Sequence, residues 1–266
     1  MGFPGGKEGL NVAHHFIISP QQIGAKEIVI TGNDLEHLSR VLRLKPGETI
    51  TVSDGEDRVY FCVLTQINKS RAVAEIKSVS PDYSEPSLEV TLLQGLPKGD
   101  KLELIIQKAV ELGISRVVPV AMERSVVQLS GAKAEARVQR WQRIAQEAAK
   151  QSRRGCIPSV SPIVSLAEAL EELPERNLVL LPWEEERSRG LKEILLSPQA
   201  QKAAGITLII GPEGGLPEKE LLMAKNKGAI PLSLGPRILR TETAAIATVA
   251  IVMYQLGDLG VLRIDG

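Results

Sequence analysis

The sequence predicts a two-domain protein in which a small β-rich domain precedes a larger α/β domain. The 266 residues exceed the usual size of a single domain. Short strand-like segments separated by turn residues fill residues 16–80, a pattern typical of a small barrel or sandwich. From residue 88 onward, apolar strands alternate with helical stretches, which is typical of a parallel sheet covered on both faces.

The first predicted domain spans residues 16–82. A short helix capped by Asn33-Asp34, with an apolar stripe ending at Leu42, interrupts its strands. Residues 1–15, rich in Gly at their start, are predicted to be a disordered tail. The linker Ser80–Ser87, rich in Pro, Ser and acidic residues, marks the domain boundary. The predicted strands are Glu27–Thr31, Thr49–Ser53, Val59–Gln66 and Ala72–Val79.

The second predicted domain spans residues 83–266. Its first helix opens at Gly99-Asp100 and ends at Gly113, because apolar residues recur at helical spacing between these two signals. Further helices are predicted at 133–153, 165–173, 190–204, 217–227 and 241–257. The predicted strands are Leu88–Gln94, Arg116–Ala121, Asn177–Leu181, Ile206–Ile210 and Ala229–Leu234.

The composition argues against several classes of protein. Apolar residues make up 43% of the chain and charged residues 24%, which excludes intrinsic disorder as the main state. The longest near-apolar run, Ala244–Leu256, is shorter than the ~20 residues of a membrane span, and no secretory signal is visible. Two cysteines without a CxxC motif and three histidines argue against a disulfide framework and a metal centre, and a reducing cytoplasm fits.

Three predicted strand ends carry sequence rich in Gly and Pro. They are Leu181-Pro182, the run from Gly211 to Pro217, and the run from Leu234 to Leu239. Ligands bind outside the carboxyl ends of strands in open α/β sheets, and glycines let a ligand approach the backbone closely. Neither GxGxxG nor GxxxxGK[ST] occurs, so a Rossmann dinucleotide site and a P-loop are disfavoured. Taken singly, each loop is equally consistent with a tight turn that binds nothing.

Two segments are specific enough to indicate a family: GPEGG at Gly211–Gly215 and LGPRILRTETA at Leu234–Ala244. Together with their order and spacing, they make the chain resemble, from Phe16 to about Leu256, the RsmE-type ribosomal RNA uridine N3-methyltransferases of the SPOUT superfamily. The supporting segments are LSRVLRL at Leu38–Leu44, KGDK at Lys98–Lys101, QKAVELG at Gln107–Gly113, Arg124-Ser125, and AAKQSRRGCIP at Ala148–Pro158.

The resemblance implies a fold that spacing alone does not predict. An N-terminal PUA-like β-barrel would grip RNA, and the C-terminal α/β domain would be a SPOUT domain whose parallel sheet is tied in a deep trefoil knot, contrary to the usual rule that chains do not thread. The family is homodimeric. The helix Thr243–Leu256 is apolar nearly all round, so it is predicted to lie in a core or between subunits, and the resemblance favours the subunit interface.

The resemblance also implies that S-adenosylmethionine is bound, bent, in the knot by the three strand ends. Trp183, beside the first of them, is a candidate for stacking on the target base, although a single Trp at a strand end more often packs in the core. The implied cofactor-binding residues are Leu181, Pro182, Gly211, Pro212, Glu213, Gly214, Gly215, Leu234, Gly235, Ile238 and Leu239.

Arg240 and Glu242 are the candidate catalytic residues, because they follow the third loop at a strand-to-helix junction. Uridine N3 becomes nucleophilic only as its proton leaves, so the protein must orient the base and handle that proton and charge. We expect Arg240 to stabilise negative charge on the uracil oxygens, and Glu242, or a water it holds, to accept the proton. The alternative is that Glu242 stabilises the positive end of the following helix, with Thr241 or Thr243 as its cap.

Local charge favours RNA binding although the whole chain is neutral. Residues 124–154 contain eight basic and two acidic side chains, a local net charge of 8 − 2 = +6. A solvated amphipathic helix explains the same charges, and only the resemblance favours RNA. The RNA-binding candidates are His37, Arg40, Arg43, Arg124, Arg153 and Arg154. With eight aromatic residues in the chain, a base-stacking platform is not expected, so the target uridine would be displaced into the active site.

Three other functions compete with this interpretation. A non-catalytic ribosome-assembly factor would keep the fold but not bind the cofactor. A nucleotide-dependent oxidoreductase would need GxGxxG after the first strand of the second domain, where Gly95-Leu96-Pro97 stands instead. A SPOUT enzyme that methylates transfer RNA, often at a ribose, shares the knot, and the preceding barrel favours the ribosomal group.

Overall fold

The structure is a computed structural model, and it describes residues 14–55, 58–81, 85–125 and 130–261. Most of the predicted tail and the middle of the linker Ser80–Ser87 lie outside the described residues. The described chain divides into two compact units. The first contains residues 14–81 together with Arg153–Cys156, and the second contains residues 85–152 and 157–261.

The first unit is built on one five-stranded sheet with the strand order β1-β3-β4-β5-β2. β1 pairs in parallel with β3, and the other neighbouring strands are antiparallel. The strands are β1 (His14–Ile17), β2 (Glu27–Ile30), β3 (Thr49–Ser53), β4 (Arg58–Ile67) and β5 (Ala72–Pro81). The four predicted strands are thus present. His14 and His15, assigned by the sequence analysis to the disordered tail, instead begin β1.

Between β2 and β3 lies the predicted short helix, α1 (Gly32–Glu36), which continues into a π-helical turn (His37–Val41). Leu35 and Leu38 bury the inner side of this segment in a core shared with Phe16 and Ile50. The thiol of Cys62 lies in the same core, where burial raises its pKa to about 11. At neutral pH this thiol is therefore protonated and unreactive.

The segment Arg153–Cys156 belongs to the first unit, although its position in the sequence predicts the second domain, residues 83–266. Its backbone explains the placement. The Gly155 carbonyl accepts a hydrogen bond from Ser53 Oγ at 2.9 Å, and the Cys156 thiol donates to the Gly55 carbonyl at 2.8 Å. A single domain boundary near residue 82 therefore does not describe the chain.

The second unit contains the predicted parallel sheet, with the order β12-β10-β11-β6-β7-β8 and β9 paired beside β7. All strand pairs in this sheet are parallel. β11 is buried along its whole length, as expected for a strand covered on both faces. The strands are β6 (Glu89–Gly95), β7 (Arg116–Ala121), β8 (Ser159–Val160), β9 (Val164–Ser165), β10 (Asn177–Pro182), β11 (Gly205–Ile210) and β12 (Ile230–Leu232).

The helices of the second unit largely follow the predicted ones. They are α2 (Lys101–Glu111), α3 (Gly131–Gln151), α4 (Leu166–Glu171), α5 (Leu191–Leu195), α6 (Pro198–Gln201), α7 (Glu218–Asn226) and α8 (Thr241–Gln255). The single helix predicted over 190–204 is wrong, because Ser197 ends α5 and starts α6. Its side chain accepts a hydrogen bond from the amide of Ala200, and Pro198, which has no N–H, occupies the first helical position.

α8 packs one side against α2, β6 and β11 and leaves the other side exposed. Val249, Val252 and Met253 are completely buried, whereas the exposed fraction of Tyr254 is 69%. The helix is therefore part of the core of its unit, with apolar residues left on its outer face. Within the described ranges, no helix is both long and apolar enough to cross a membrane.

Candidate functional site

A cavity of about 430 Å³ lies in the second unit, where β10, β11 and β12 end and α8 begins. These strands are neighbours in the parallel sheet, so their carboxyl ends meet at one edge, where α/β sheets bind ligands. The volume lies within the usual range for small-molecule pockets. The cavity is lined by Pro182, Trp183, Glu184, Arg187, Ile210, Gly211, Pro212, Glu213, Gly215, Leu216, Ser233, Leu234, Gly235, Pro236, Arg237, Ile238, Leu239, Arg240, Thr241 and Ala244.

The loop after β11 needs its glycines for close packing. A Cβ on Gly211 would lie 2.7 Å from Leu216 Cδ1, and a Cβ on Gly214 would lie 2.9 Å from the Cβ of Arg124. Gly215 has a φ of +70°, which L side chains rarely adopt, and its amide donates to the Pro212 carbonyl at 2.9 Å to close the turn. Without side chains at Gly211 and Gly215, the backbone of the loop is accessible from the cavity at these two positions.

A second glycine contact lies beneath this loop. Gly95 ends β6, and a Cβ there would lie 2.7 Å from Pro212 Cδ, 2.8 Å from the Pro212 nitrogen and 2.8 Å from Met122 Sδ. Because the Pro212 nitrogen is backbone, the loop itself would have to shift. Gly95 thus sets the height of the loop above the sheet.

Thr241 joins the start of α8 to the loop after β11. Its hydroxyl donates to the Gly211 carbonyl at 2.6 Å and accepts from Gln94 Nε2 at 3.0 Å. The Gln94 side chain is fully buried, and its Nε2 also donates to the Gly95 carbonyl at 2.9 Å. Arg240 is the residue before α8, and no side chain caps the helix. The alternative of a cap by Thr241 or Thr243 is therefore wrong, and Thr241 instead closes the wall of the cavity.

The third loop, from Leu234 to Arg240, carries the most exposed part of the lining. Gly235 has a φ of +113° with open space around its Cβ position, so the turn requires glycine for its backbone angle alone. Ile238 is 89% exposed although it lines the cavity. An apolar side chain in that position has surface to bury against a ligand.

Most predicted cofactor-binding residues are brought together here, and two lie apart from the lining. Leu181 is fully buried in the hydrophobic core, and Gly214 is exposed next to Arg124. The predicted residues that line the cavity are Pro182, Gly211, Pro212, Glu213, Gly215, Leu234, Gly235, Ile238 and Leu239.

The loop after β10 supplies three lining residues that were not among the implied cofactor-binding residues: Trp183, Glu184 and Arg187. Trp183 is half-buried against the core, and its amide donates to the Leu232 carbonyl at 2.9 Å. The Arg187 guanidinium donates to the Glu184 carbonyl at 2.7 Å, which holds the loop in a turn. The indole therefore packs against the core and at the same time lines the cavity.

The two candidate catalytic residues differ in their access to the cavity. Arg240 is exposed and lines the cavity, and it makes no ion pair within the described residues. Glu242 is in the first turn of α8 and is not part of the lining, and its side chain is 15% exposed. Its Oε2 lies 3.3 Å from Lys101 Nζ, an ion pair without hydrogen-bond geometry.

Lys101 and Glu213 belong to the same charged cluster, and neither was singled out by the sequence as an ion pair. Lys101 Nζ donates to Glu213 Oε1 at 2.8 Å, and the Lys98 amide lies 3.2 Å from the same oxygen. The hydrogen bond to Glu213 raises the pKa of Lys101. Partial burial raises the pKa of Glu213, but the hydrogen bonds from Lys101 and from the backbone outweigh this effect, so the pKa of Glu213 is lowered overall. Both groups are therefore charged at neutral pH.

The RNA-binding candidates are divided between the two units. His37, Arg40, Arg43, Arg153 and Arg154 belong to the first unit, and Arg124 belongs to the second. Arg43 and Arg153 have positive φ angles of 55° and 57°, the two such non-glycine residues within the described ranges. Arg40 pairs with Glu36, and the ring of His37 meets that of Phe16 edge-on.

Two of these candidates are engaged within the protein. The exposed fraction of Arg154 is 5%, and the guanidinium of Arg124 donates to the Gly214 carbonyl at 3.0 Å. The positive charge of residues 124–154 is also reduced, because Arg140 and Arg137 lie 2.7 Å and 3.5 Å from the Glu103 carboxylate. Within the described ranges, no group of three His, Cys, Asp or Glu side chains is placed to hold a metal ion.

Comparison with known proteins agrees with this geometry. Residues 84–253 match the model of an RNA methyltransferase domain, and residues 30–77 match that of an RNA methyltransferase PUA domain. The ribosomal RNA small subunit methyltransferase E of Bacillus subtilis (strain 168) is 33% identical over 241 residues, which cover 90% of this chain and 94% of that protein. Its counterpart in Synechocystis is 36% identical, covering 90% and 77%.

Solved structures give the same result. A ribosomal RNA small subunit methyltransferase E from Neisseria gonorrhoeae, bound to S-adenosylmethionine, superposes with a TM-score of 0.82 at 35% identity over 93% of this chain and 99% of that chain. A putative methyltransferase from Legionella pneumophila with the same cofactor gives 0.77 at 28% identity, covering 92% and 99%. The family resemblance seen in the sequence is confirmed. The chain belongs to the RNA methyltransferase family, in which a PUA domain precedes the methyltransferase domain.

Proposed function

We propose that this protein transfers the methyl group of S-adenosylmethionine to N3 of a uridine in small-subunit (16S) ribosomal RNA. The observation that carries the proposal is the cavity at the ends of β10, β11 and β12, whose walls are made by loops that need their glycines. It occurs in a chain that aligns over 93% of its length with a methyltransferase bound to this cofactor.

The residues present fit S-adenosylmethionine. The wall at Gly211–Gly215 leaves backbone groups, which suit the edge of an adenine, and a Cβ on Gly211 would alter that wall. Leu234, Ile238 and Leu239 add apolar surface for the adenine and the methionine chain. The cofactor supplies a methyl group activated by a sulfonium. The protein has to hold this methyl in line with the base.

The trefoil knot and the PUA-like barrel belong to the same proposal. Loops from β10, β11 and β12 and the start of α8 converge on one cavity, and the Thr241 hydroxyl bonds to the Gly211 carbonyl. In a knotted chain, these are the loops that would cross. In the first unit, the order β1-β3-β4-β5-β2 leaves β1 and β2 as the edges that a barrel would bring together.

Arg240 and Glu242 divide the proton and charge chemistry between them. Arg240 is exposed at the cavity, where its guanidinium can bond to the oxygens that carry negative charge once N3 loses its proton. Glu242 lies behind the lining, and we assign it the role of accepting the N3 proton through a water molecule between the base and the carboxylate. The transferred methyl replaces the N3 proton, so the base product is neutral and the cofactor leaves as the neutral thioether.

We assign RNA binding to cations of the first unit, because residues 30–77 of this unit match the PUA domain of RNA methyltransferases. Arg43 and Arg153 are the strongest candidates, since both are exposed and both hold a left-handed backbone. His37 and Arg40 lie on the helical segment that precedes Arg43. This support does not extend to Arg124 and Arg154, which are engaged or buried.

We also infer a homodimer. The outer face of α8 leaves Ile251 and Tyr254 exposed, and apolar side chains on a helix favour a second protein surface. The resemblance names the same helix as the subunit interface. The proposed substrate places the enzyme in the cytoplasm.

Methyl transfer from labelled S-adenosylmethionine tests the function. Unmodified small ribosomal subunits, naked 16S ribosomal RNA and transfer RNA are incubated in parallel, and nucleosides from each are separated by mass spectrometry. Label recovered as N3-methyluridine from the subunits or the ribosomal RNA is the expected result. Label in transfer RNA alone would favour the competing SPOUT enzyme. Failure to bind the cofactor at all would favour a ribosome-assembly factor.

A further inference from the structure

Lys101 connects three segments that lie far apart in the sequence. It is the first residue of α2 and ends the KGDK segment. Its ammonium reaches Glu213 in the loop after β11 and Glu242 in the first turn of α8. The two carboxylates belong to the GPEGG and LRTETA segments, so one cation joins the segments that carry the family resemblance.

The cluster is partly shielded from solvent. The exposed fractions of the side chains are 33% for Lys101, 26% for Glu213 and 15% for Glu242. An ion pair in such a place is screened less than one at the surface, and removal of its cation leaves two carboxylates facing each other. Lys101 is not part of the cavity lining, so its contacts are with the residues that form or flank the cavity.

The two carboxylates are not used in the same way. Glu213 accepts a hydrogen bond from Lys101 Nζ at 2.8 Å, and the Lys98 amide lies within 3.3 Å of both of its oxygens. Glu242 Oε2 has no hydrogen bond within the described residues, although the atom is buried. A buried carboxylate oxygen in that state is an acceptor without a donor. The ion pair with Lys101 fixes where it lies.

We propose that Lys101 is a positioning residue for methyl transfer, which holds the Glu242 carboxylate behind the cavity while Glu213 holds the Lys101 ammonium in place. The inference rests on the proposed function, because it gives Glu242 the proton of the substrate. Lys101 itself touches neither the base nor the cofactor. Its cationic form is not a base, so it acts through Glu242.

The same helix supplies a matched control. Lys108 lies on α2 and pairs with Glu111 at 2.9 Å, and its side chain has an exposed fraction of 40%. This pair resembles that of Lys101 in length and charge but touches none of the cavity loops. Lys101→Met and Lys108→Met each remove a charge while keeping an unbranched stem on the helix.

The experiment measures single-turnover methyl transfer into RNA by Lys101→Met, Lys101→Arg, Lys108→Met, Glu242→Gln and the double variant Lys101→Met/Glu242→Gln. Binding of S-adenosylmethionine and thermal unfolding are measured on each protein. We expect Lys101→Met to lower the transfer rate at least about 10-fold, while the cofactor dissociation constant changes less than about 3-fold. Lys101→Arg should recover most of the rate, and Lys108→Met should stay within about 2-fold of the unmodified protein.

The double variant separates positioning from a general loss of structure. If Lys101 acts through Glu242, adding Lys101→Met to Glu242→Gln lowers the rate by less than about 2-fold further. If the rate loss of the double variant equals the product of the two single losses, the proposal is overturned. A rate loss in Lys101→Met that is matched by an equal loss of cofactor affinity would overturn it too. A Lys101→Met rate within about 2-fold of the unmodified protein would overturn it as well.

The proposed function is tested separately in the same samples. The rates count label in RNA whichever nucleoside accepts it, so the comparison of variants holds even if the methyl lies elsewhere than uridine N3. Nucleoside mass spectrometry of the unmodified protein's product decides the uridine assignment. An unmodified protein that transfers no label would overturn both proposals before any variant is compared.

Discussion

The cofactor cavity and the exposed arginines of the first unit, Arg43 and Arg153, are built in opposite ways. Around the cavity, Thr241, Arg124 and Lys101 each tie one loop to another through a hydrogen bond or ion pair. In the first unit, Arg43 and Arg153 are exposed side chains on left-handed backbone. The cavity is thus preorganised for a small ligand, whereas the arginines offer charge that acts on phosphates over a distance.

The most extensive effect is expected from Gly95→Ala, because this change should lower both cofactor affinity and stability and so breaks the preorganised side of this comparison. The added Cβ would lie within 2.8 Å of both Pro212 and Met122, so the loop after β11 must move. We expect cofactor affinity to fall more than about 10-fold and the free energy of unfolding to fall by about 1–3 kcal/mol. Calorimetric titration and thermal unfolding measure the two effects.

Gly190→Ala is the control for this change. Nothing lies within 4 Å of a Cβ at Gly190, and its φ is −93°, which any residue adopts. Both measurements should stay close to those of the unmodified protein. Unchanged cofactor affinity in Gly95→Ala would contradict the role given to the loop.

Arg240→Ala should affect chemistry without affecting the cavity. Its guanidinium is exposed and makes no ion pair within the described part of the chain, so its removal leaves the loops in place. We expect single-turnover methyl transfer to fall about 10²–10³-fold, as when a donor to a developing anion is lost. The cofactor dissociation constant should change little. Arg240→Lys keeps the charge but not the planar pair of donors, and should recover only part of the rate.

Arg43→Gly sharpens the other side of the comparison. Glycine tolerates the φ of 55° at this position, so the guanidinium is removed without backbone strain. Loss of one phosphate contact should weaken RNA binding and reduce the slope of log affinity against log salt by about 0.7–0.9. Filter binding of 16S ribosomal RNA over a salt series gives this slope. Cofactor affinity should not change, and a change would place Arg43 outside the role proposed here.

The smallest effect concerns Glu220 on α7, which is 7% exposed and accepts a hydrogen bond from the Glu123 amide at 2.8 Å. Burial raises the pKa of Glu220 above its usual 4.5, although the Glu123 amide opposes the shift. The folded state therefore binds this proton more tightly than the unfolded state. The contribution of Glu220 to stability falls as the pH rises from about 4.5 through the raised pKa.

Glu220→Gln removes this dependence and keeps an oxygen for the Glu123 amide. The melting temperature of the variant minus that of the unmodified protein should increase with pH from about 4.5 upward. The increase should continue until the pH has passed the raised pKa of Glu220 and should then level off. A difference that is constant with pH, or that shrinks as the pH rises, would contradict the assignment.

Local patterns predicted most of the elements. Apolar runs bounded by turn residues predicted all strands except β1, β8 and β9, and Gly113, with a φ of +100°, ends α2 as predicted. The break between α5 and α6 was not predicted, although Ser197-Pro198 is a sequence signal for the start of a helix. The short strand β8 and the strand β9 were missed, since two residues are too few to show a period of 2.

Contacts made by backbone groups could not be predicted. Arg153–Cys156 belongs to the first unit through the carbonyls of Arg154 and Gly155 and the thiol of Cys156. Every residue carries a carbonyl, so such contacts leave no mark in the composition. The same holds for Arg124, whose partner is the carbonyl of Gly214.

The sequence by itself determined the two kinds of domain, the parallel sheet, the three loops of the cavity and the family, because periodicity, turn residues and motif spacing are local properties. The tertiary structure alone decided which loops meet, which candidate residues line the cavity and which charged side chains form ion pairs with each other. Asp100 and Glu103 lie close to Lys101 in the sequence, yet Lys101 pairs with the distant Glu213 and Glu242. The energy of a charge pair depends on the distance between the two charges, so the ion pairs cannot be predicted until the fold fixes these distances.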